Sequence, residues 1–441
     1  MLNASPKRIK EIELLDAMCG TGKSYNLFKF IASNPQECFL YVTPMLSEVS
    51  SRPAEELAKF GESGVEFHEP TGAGFRTKGD HLLHLLESRQ NVICTHTLFQ
   101  GMGKAGQDSV WRYGYIIIVD EELGMIEPLE SSILADGDKK LLFKENVITT
   151  EADGKVVWCD DAWGVTGSAF SAVRKLAEDG GLYTNKGGTF FNTQIPVELI
   201  QSAKRVIVAT YLFEGSVLQA FLKVKGIGQK PFTFDGMELR DERLLKKALS
   251  ERIEFYDAEG PTEKLHRALK MPVDDLRLKY SSSMFSTSWY GSAQSGAITK
   301  LGNHIRGVAR SMDVNAEDLI YTLPSAIAGK AGDKWIKNRP KVIKVKSFSP
   351  ETCFLHKGAR ATNNYAGKTA AIHAFNRYPH PAIKTYLQEN GGIVSDDNFA
   401  LAEMIQWFFR TAIRIPNGPK VKLHIVSPRM DRLFKDWLYS S

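Results

Sequence analysis

Eight residues near the start of the chain restrict the fold of this 441-residue protein more than any other segment. They read Ala17-Met18-Cys19-Gly20-Thr21-Gly22-Lys23-Ser24, a glycine-rich turn closed by lysine and serine, with alanine where such turns commonly begin with glycine. A turn of this kind joins a strand to a helix in α/β proteins. Residues 12–16 fit the strand and residues 25–31 fit the helix. The segment therefore predicts a parallel α/β domain built around it.

The same segment predicts a ligand. Gly20 and Gly22 allow the backbone to curl so that successive N–H groups point at phosphate oxygens, and Thr21 lies between them. Lys23 would reach the β- and γ-phosphates and the Ser24 hydroxyl would ligate a metal ion. The helix that follows would direct its positive N-terminal end at the same anion. We expect a nucleoside triphosphate with Mg²⁺.

Residues 115–122, Tyr-Ile-Ile-Ile-Val-Asp-Glu-Glu, provide a second signal about a hundred residues later. A buried apolar strand would deliver Asp120 to the carboxyl edge of the sheet, where it can hold magnesium directly or through water. Glu121 is then placed to orient and deprotonate an attacking water. The sequence has no Asn-Lys-x-Asp guanine-binding motif, which favours ATP over GTP. Together the two segments predict an ATP hydrolase.

Three polar residues recur at steps of four near the C-terminus: Gln406, Arg410 and Arg414. On a helix this spacing places them along one face. Two arginines there suit an arginine finger that stabilises charge on the γ-phosphate. The alternative is the solvated face of an amphipathic helix.

Composition adds weaker constraints. The formal net charge of +5 is compatible with a nucleic-acid partner, and the basic residues between 334 and 346 are either a contact surface or a solvated face. The five cysteines are far apart, which argues against a zinc site or a disulfide framework. No apolar run is long enough to span a bilayer and no signal core follows the N-terminus, so we expect a cytoplasmic location and no membrane partner.

Strand-like and helix-like segments alternate along the chain, which is typical of parallel sheets covered on both faces. The stretch from about 127 to 200 interrupts this rhythm with glycine-containing turns and a hairpin over about 147–158, so we interpret it as an insertion. Strands are expected at 37–44, 91–96, 113–120, 204–210, 319–322, 342–345 and 422–427. Residues 252–256 fit a strand or a linker, and a helix is expected at 399–413.

The order of these motifs resembles that of superfamily 2 helicases of the DEAD/DEAH-like type. The sequences of residues 210–216 and 361–365 are similar to those of helicase-like ATPases encoded by bacteriophages. The resemblance covers nearly the whole chain. In motif order, the segments that carry it are 17–24, 42–44, 94–99, 120–123, 208–211, 358–363 and 406–414. Glu122 and Leu123 replace the commoner final residues of the motif at 120–123, and the arginine spacing of four instead of three leaves open which arginine is the finger.

The resemblance implies two RecA-like domains, about 1–248 and 249–441, that meet across one ATP, with the insertion in the first. It implies an ATP-dependent helicase or translocase that acts on single-stranded or duplex nucleic acid, with DNA favoured, in phage replication or recombination and with proteins of those processes as possible partners. By the same resemblance, the residues that would contact the nucleic acid are Thr43, Pro44, Thr95, His96, Thr362 and Asn363.

Two alternatives from other classes stay open. A viral DNA-packaging ATPase with a nuclease would need several carboxylates at strand ends after residue 250 to hold two metal ions. The available carboxylates are Asp257, Asp274, Asp275, Asp396 and Asp397. A nucleotide-gated nucleic-acid-binding scaffold without unwinding activity would need the phosphate-binding loop but no strand separation.

Overall fold

The computed structural model describes residues 9–44, 52–61, 64–256, 259–272, 274–331, 334–336, 341–356 and 365–440. The chain divides into two compact units. Unit 1 comprises Met1–Met18, Gly22–Leu239 and Pro379–Ser395, and unit 2 comprises Cys19–Thr21, Arg240–Tyr378 and Asp396–Ser441.

The described chain forms strands along its whole length, most of them short. In chain order they are β1 Glu11–Asp16, β2 Phe39–Thr43, β3 Phe67–His68, β4 Asn91–Thr95, β5 Ile116–Asp120, β6 Ile126–Pro128, β7 Ile148–Thr150, β8 Val156–Trp158, β9 Leu182–Thr184, β10 Phe191–Gln194, β11 Arg205–Thr210, β12 Gly228–Pro231, β13 Ile253–Phe255, β14 Leu319–Thr322, β15 Lys330–Ala331, β16 Lys334–Trp335, β17 Ala370–His373 and β18 Val421–Ile425.

The α-helices of the same residues are α1 Lys23–Ala32, α2 Arg52–Ala58, α3 Lys78–Glu87, α4 His96–Gln100, α5 Lys104–Arg112, α6 Asp136–Lys144, α7 Ser171–Glu178, α8 Glu198–Gln201, α9 Val217–Val224, α10 Glu242–Arg252, α11 Glu259–Ala268, α12 Leu276–Ser281, α13 Thr287–Ser292, α14 Ser295–Ser311, α15 Ser325–Ala328, α16 Pro350–Cys353, α17 Pro381–Glu389, α18 Asp396–Phe408 and α19 Pro428–Tyr439. Short 3₁₀ helices lie at Ala316–Asp318 and Ala412–Arg414.

Unit 1 is built on a seven-stranded sheet in the order β12-β1-β11-β5-β2-β4-β3. Every neighbouring pair in it is parallel. Residues of β2 and β5 are buried along their whole length because apolar clusters cover both faces of the sheet. The carboxyl ends of these strands therefore lie along one edge, the usual place for ligands in such folds.

The stretch from about 127 to 200, which we interpret as an insertion, has its own small core. It contains an antiparallel sheet in the order β6-β10-β9 and a hairpin of β7 and β8, in which Ile148 pairs with Trp158. Apolar residues of α6, α7 and these strands pack together, among them Leu142, Val173 and Phe191. The predicted hairpin is confirmed.

A segment late in the sequence completes unit 1. Residues Pro379–Ser395, which we call the crossover segment, leave unit 2 after β17 and return to it at α18. Its helix α17 packs against α9, β6 and β10, and its side chains Ile383, Tyr386 and Leu387 belong to the core of unit 1. The Ser395 N–H donates to the Gly215 carbonyl at 2.8 Å.

Unit 2 contains a four-stranded parallel sheet in the order β13-β18-β17-β14, with an apolar cluster around α14 and β14. The predicted α/β fold with two parallel sheets is confirmed. The strand expected at 342–345 is wrong, because this stretch of alternating buried residues pairs with no strand of the described chain. Among the described residues, none of the helices has the length and apolar character that a membrane crossing requires.

Candidate functional site

One strand holds both motifs of the first unit. The Ala17 N–H, at the start of the glycine-rich loop, donates to the Thr210 carbonyl at 3.0 Å, and the Glu121 N–H donates to the Ala209 carbonyl at 2.9 Å. Since β11 lies between β1 and β5, these two bonds bring the loop and the acidic pair to the same edge of the sheet with one strand between them.

The loop has the backbone shape that its glycines predict. Gly20 and Gly22 have φ values of +88° and +98°, which side chains with a Cβ rarely adopt. Gly22 is the N-cap of α1, and the Lys23 ammonium donates to the Ala17 carbonyl at the other end of the loop. The lysine is thus folded over the loop, where a phosphate would lie.

The residues present fit a magnesium–triphosphate. In the described chain, helix α1 follows the glycine-rich loop directly, and it has neither a side-chain N-cap hydrogen bond nor an acidic residue in its first turn. The first N–H groups of α1 therefore suit an anion. The hydroxyl of Ser24 and the carboxylate of Asp120 are oxygen donors of the kind that Mg²⁺ prefers, and they would hold the ion.

Two residues hold Asp120 in place. The Tyr41 hydroxyl donates to its Oδ2 at 2.9 Å, and His96 Nε2–H donates to its main-chain carbonyl at 3.1 Å. Only 7% of Asp120 is exposed, so one carboxylate oxygen is fixed in a largely dry environment. No pattern in the sequence indicated this role of Tyr41.

Glu121 follows in a left-handed conformation, with φ of +67°. This conformation is uncommon for a residue other than glycine, and such strain persists where the surroundings enforce it. The next residue supplies part of that support, because Glu122 Oε1 accepts the Leu218 N–H at 2.7 Å at the start of α9. The turn after β5 is therefore tied to the helix that follows β11.

Asn26 is a further residue that sequence reasoning missed. It is fully buried on α1, one turn after the loop. Its amide donates to the carbonyls of Gly22 (2.9 Å) and Glu238 (2.8 Å) and accepts the Glu238 N–H (2.9 Å). The segment that leads out of unit 1 at Leu239 is thus fixed to α1, the helix that follows the glycine-rich loop.

The shared helix face for Gln406, Arg410 and Arg414 is wrong. Helix α18 ends at Phe408, because Thr411 has an extended backbone and its hydroxyl accepts the Ile413 N–H at 3.3 Å, which starts a 3₁₀ helix. Gln406 is half-buried on α18, Arg410 lies in the turn after it with 8% exposed, and Arg414 is exposed on the 3₁₀ helix. The structure gives the two arginines different environments.

The residues expected to contact nucleic acid are also unequal. Thr43 is fully buried at the end of β2, and Pro44 after it is half-buried. Thr95 accepts the Leu98 N–H at 3.3 Å as the N-cap of α4. His96 is buried and donates a hydrogen bond to the main-chain carbonyl of Asp120. Thr362 and Asn363 lie outside the described residues.

Two of the carboxylates that a nuclease was expected to use, Asp275 and Asp397, have structural partners. Asp275 Oδ1 caps α12 by accepting the Arg277 N–H at 2.9 Å, and Asp397 Oδ1 accepts Arg429 Nε–H at 2.9 Å. Asp396 begins α18, and Asp257 lies outside the described residues. In the described ranges no group of three or more His, Cys, Asp or Glu side chains is arranged to hold a metal ion.

Titratable groups on two other strands stay neutral. Burial raises the pKa of the Cys94 thiol on β4 to about 12, so this cysteine is not a nucleophile at neutral pH. Burial, together with the charge of Arg377, lowers the pKa of His373 at the end of β17 to about 3. Neither group carries charge at neutral pH.

Comparison with known proteins gives relatives of low identity. Residues 263–438 match the family model of the YonV C-terminal Rossmann-like domain, which agrees with the parallel sheet of unit 2. Over 437 residues the chain is 26% identical to the SPbeta prophage-derived uncharacterized protein YonV of Bacillus subtilis (strain 168), covering 98% of this chain and 99% of that protein.

Solved structures give weaker similarities. Xpd4 of S. tokodaii is 14% identical with a TM-score of 0.44, covering 98% of this chain and 95% of that one. An XPD helicase is 12% identical with a TM-score of 0.38, covering 97% and 94%. The DUF1998 helicase MrfA bound to DNA is 10% identical with a TM-score of 0.32, covering 97% and 49%.

Proposed function

We propose that this protein is an ATP-dependent nucleic-acid helicase or translocase that acts on DNA, in phage replication or recombination. The observation that supports the proposal is the attachment of Ala17 and Glu121 to successive carbonyls of β11, because these bonds bring the glycine-rich loop and the Asp-Glu pair to one sheet edge. The similarity to a prophage-derived protein supports the phage setting.

In the proposed reaction Lys23 would bind the phosphates, and Ser24 and Asp120 would ligate the magnesium ion. Glu121 accepts the proton of the water that attacks the γ-phosphorus, while the bond to the departing ADP oxygen breaks. Gln406 would help to position that water. ATP and Mg²⁺ are therefore the proposed substrate and metal, and the arginine finger is Arg410 or Arg414.

Substitution can show which of the two arginines is the finger. We expect alanine at the finger position to lower ATP turnover by about a thousandfold or more, since such a residue is worth 10³–10⁵ in rate. Alanine at the other position should change turnover much less. Arg410 is buried and Arg414 is exposed, so alanine at position 410 could lower turnover by unfolding the protein. A thermal melt detects such unfolding. Arg410→Lys keeps the positive charge but loses the guanidinium group, and so tests whether its geometry is needed.

Charge distinguishes the insertion from the rest of the chain. Residues 127–200 contain twelve acidic and seven basic residues, so the insertion is net negative in a protein whose total is +5. A nucleic-acid backbone would be repelled by it. We therefore propose that the strand contacts the carboxyl edge of the large sheet, and that the insertion faces a protein partner or limits the path of the strand.

The test measures ATP turnover with and without single-stranded DNA, duplex DNA and single-stranded RNA. We expect stimulation by DNA, and loss of turnover in Lys23→Ala at an unchanged melting temperature. Lys104→Ala, which removes the same charge from an exposed helix end, is the matched control. If no nucleic acid stimulates turnover, the proposal is wrong.

Two further measurements on the full chain address the alternatives. Manganese-dependent cleavage of DNA would favour the packaging enzyme, although two of its expected carboxylates are already engaged: Asp275 caps a helix and Asp397 pairs with Arg429. ATP binding without separation of a labelled duplex, and without movement along a single strand, would favour the scaffold.

A further inference from the structure

Three aromatic rings form a small cluster on the surface of unit 1. Phe75 lies in the loop between β3 and α3, with 37% of its surface exposed. It stacks on His81, with ring centroids 4.4 Å apart and 11° between the planes, and its centroid lies 5.1 Å from that of His84. His81 and His84 are three residues apart on α3 and so share a face. An exposed phenyl ring is thus supported by two imidazoles.

The loop that carries this ring has a defined conformation. Gly72 and Gly74 adopt φ values of +83° and +77°, and the Gly72 N–H donates to His81 Nδ1 at 3.2 Å. The Phe75 N–H donates to the Gly72 carbonyl at 3.1 Å, which closes a turn. These bonds fix the backbone that leads to the ring, so little ordering of the loop would accompany binding.

Positive charge follows the ring directly. Arg76 and Lys78 are exposed. The nearest acidic side chain after them is Asp80, and its Oδ2 accepts the Thr77 hydroxyl at 2.9 Å in the cap of α3. Two cations therefore adjoin an aromatic surface, the combination that proteins use to hold single strands, with bases on rings and phosphates on cations.

The position of the loop agrees with this use. β3 runs parallel to β4, so the loop begins at the carboxyl edge of the sheet, where Pro44 follows β2 and Thr95 ends β4. Single exposed aromatics are common on protein surfaces. This ring is distinguished by its stacked support, its neighbouring cations and its place on the edge that holds Asp120.

We propose that Phe75 is a stacking surface for one unpaired base of a single-stranded nucleic acid, and that Arg76 and Lys78 contact its phosphates. The proposal rests on the proposed function, because it assumes that a strand crosses this edge. Neither Phe75 nor its loop belongs to the segments that the motif order singled out.

The test compares two strands of equal length by fluorescence anisotropy: an oligothymidylate, and the same strand with abasic tetrahydrofuran sites in place of its bases. Both carry the same phosphates, and only the first can stack. We expect Phe75→Ala to weaken binding of the oligothymidylate by about 5- to 150-fold and to leave binding of the abasic strand unchanged. Phe75→Trp should restore the affinity. Arg76→Ala should weaken both strands equally.

Trp111→Ala is the matched control, since this exposed aromatic side chain (43%) lies on α5 before β5, at the amino edge of the sheet. It should bind both strands as the wild type does. If Phe75→Ala binds the oligothymidylate normally, or loses both strands equally at an unchanged melting temperature, the stacking proposal is wrong while the proposed function stands. If the wild type binds neither strand, both proposals are wrong.

Discussion

The hydroxyl of Tyr41 lies 2.9 Å from Oδ2 of Asp120 and donates a hydrogen bond to it across neighbouring parallel strands. Hydrogen bonds to charged groups typically contribute about 1.5–3 kcal/mol. This bond restricts the carboxylate that we propose as the magnesium ligand. Tyr41 is therefore a positioning residue. His96 is another, because it donates a hydrogen bond to the main-chain carbonyl of the same aspartate.

Tyr41→Phe should weaken the dependence of turnover on magnesium. We expect the magnesium concentration for half-maximal ATP hydrolysis to rise by about tenfold, because an unrestrained carboxylate binds the ion less well. The control is Tyr115→Phe, whose hydroxyl donates to the Gln90 carbonyl at 2.8 Å at the other end of the same sheet. That variant should lose stability without a change in the magnesium dependence; equal magnesium curves for both variants would contradict the assignment.

Glu121 and Glu122 provide a matched pair of substitutions. Glu121→Gln removes the proposed proton acceptor, so turnover should fall by about 10²–10⁴-fold while ATP binding persists. Glu122→Gln keeps an amide oxygen that can accept the Leu218 N–H, and turnover should change less than about tenfold. Single-turnover hydrolysis and equilibrium binding of ATP measure the two effects separately. A larger defect in Glu122→Gln would transfer the catalytic role to that residue.

Leu387→Ala tests whether the crossover segment stabilises unit 1. Leu387 is fully buried in the core of that unit, and removing such a side chain typically costs about 2–5 kcal/mol. We expect hydrogen exchange to accelerate in α9, against which α17 packs. Ile393→Ala, in the same segment but 68% exposed, should leave the exchange of α9 unchanged. Unaltered α9 protection in Leu387→Ala would count against the packing.

Acid should destabilise unit 2 through buried histidines. His424 Nδ1–H donates to the Tyr256 carbonyl at 2.9 Å, so its Nε2 must accept from His304 Nε2–H at 3.0 Å. Burial, with the neighbouring His424 and His266, lowers the pKa of His304 from 6.5 to about 3. The unfolded chain therefore binds this proton first, and stability falls as the pH drops from about 6.5 towards 3.

Urea unfolding followed across that pH range measures this loss. In His304→Gln one buried group no longer titrates, so the free energy of unfolding should depend less steeply on pH than in the wild type. An identical slope in the two proteins would show that His304 does not contribute. His373, whose pKa burial also lowers to about 3, should account for part of the slope that remains.

Local sequence patterns were sufficient to predict the structure of single strands and loops. The run of four apolar residues before Asp120 predicted a buried strand, and the glycines at 20 and 22 predicted positive φ values. The helix face of Gln406, Arg410 and Arg414 failed because spacing alone does not show where a helix ends. Thr411 competes for the backbone through its own hydroxyl and ends the periodicity before Arg414.

Long-range relationships left no signal in the sequence. Tyr41 was expected only as a strand residue, and its bond to Asp120 depends on the order of β2 and β5 in the sheet. The amphipathic pattern of α17 indicates a buried face but not which sheet that face covers. Asn26 gives no signal either, because its partner Glu238 is more than two hundred residues away.

The crossover segment also determines when the protein can fold during its synthesis. Domains usually fold as units from the N-terminus as the chain leaves the ribosome. The buried core of the first unit contains residues from Ile12 onward in the sequence. Its last members along the chain are Ile383, Tyr386, Leu387 and Val394, all in the crossover segment. We therefore expect the core of the first unit to be completed only after most of the chain, including β13 to β17, has been translated. An incomplete chain released before residue 379 would expose the apolar surface of α9, against which α17 packs, and would be a substrate for proteases instead of a stable, free-standing domain.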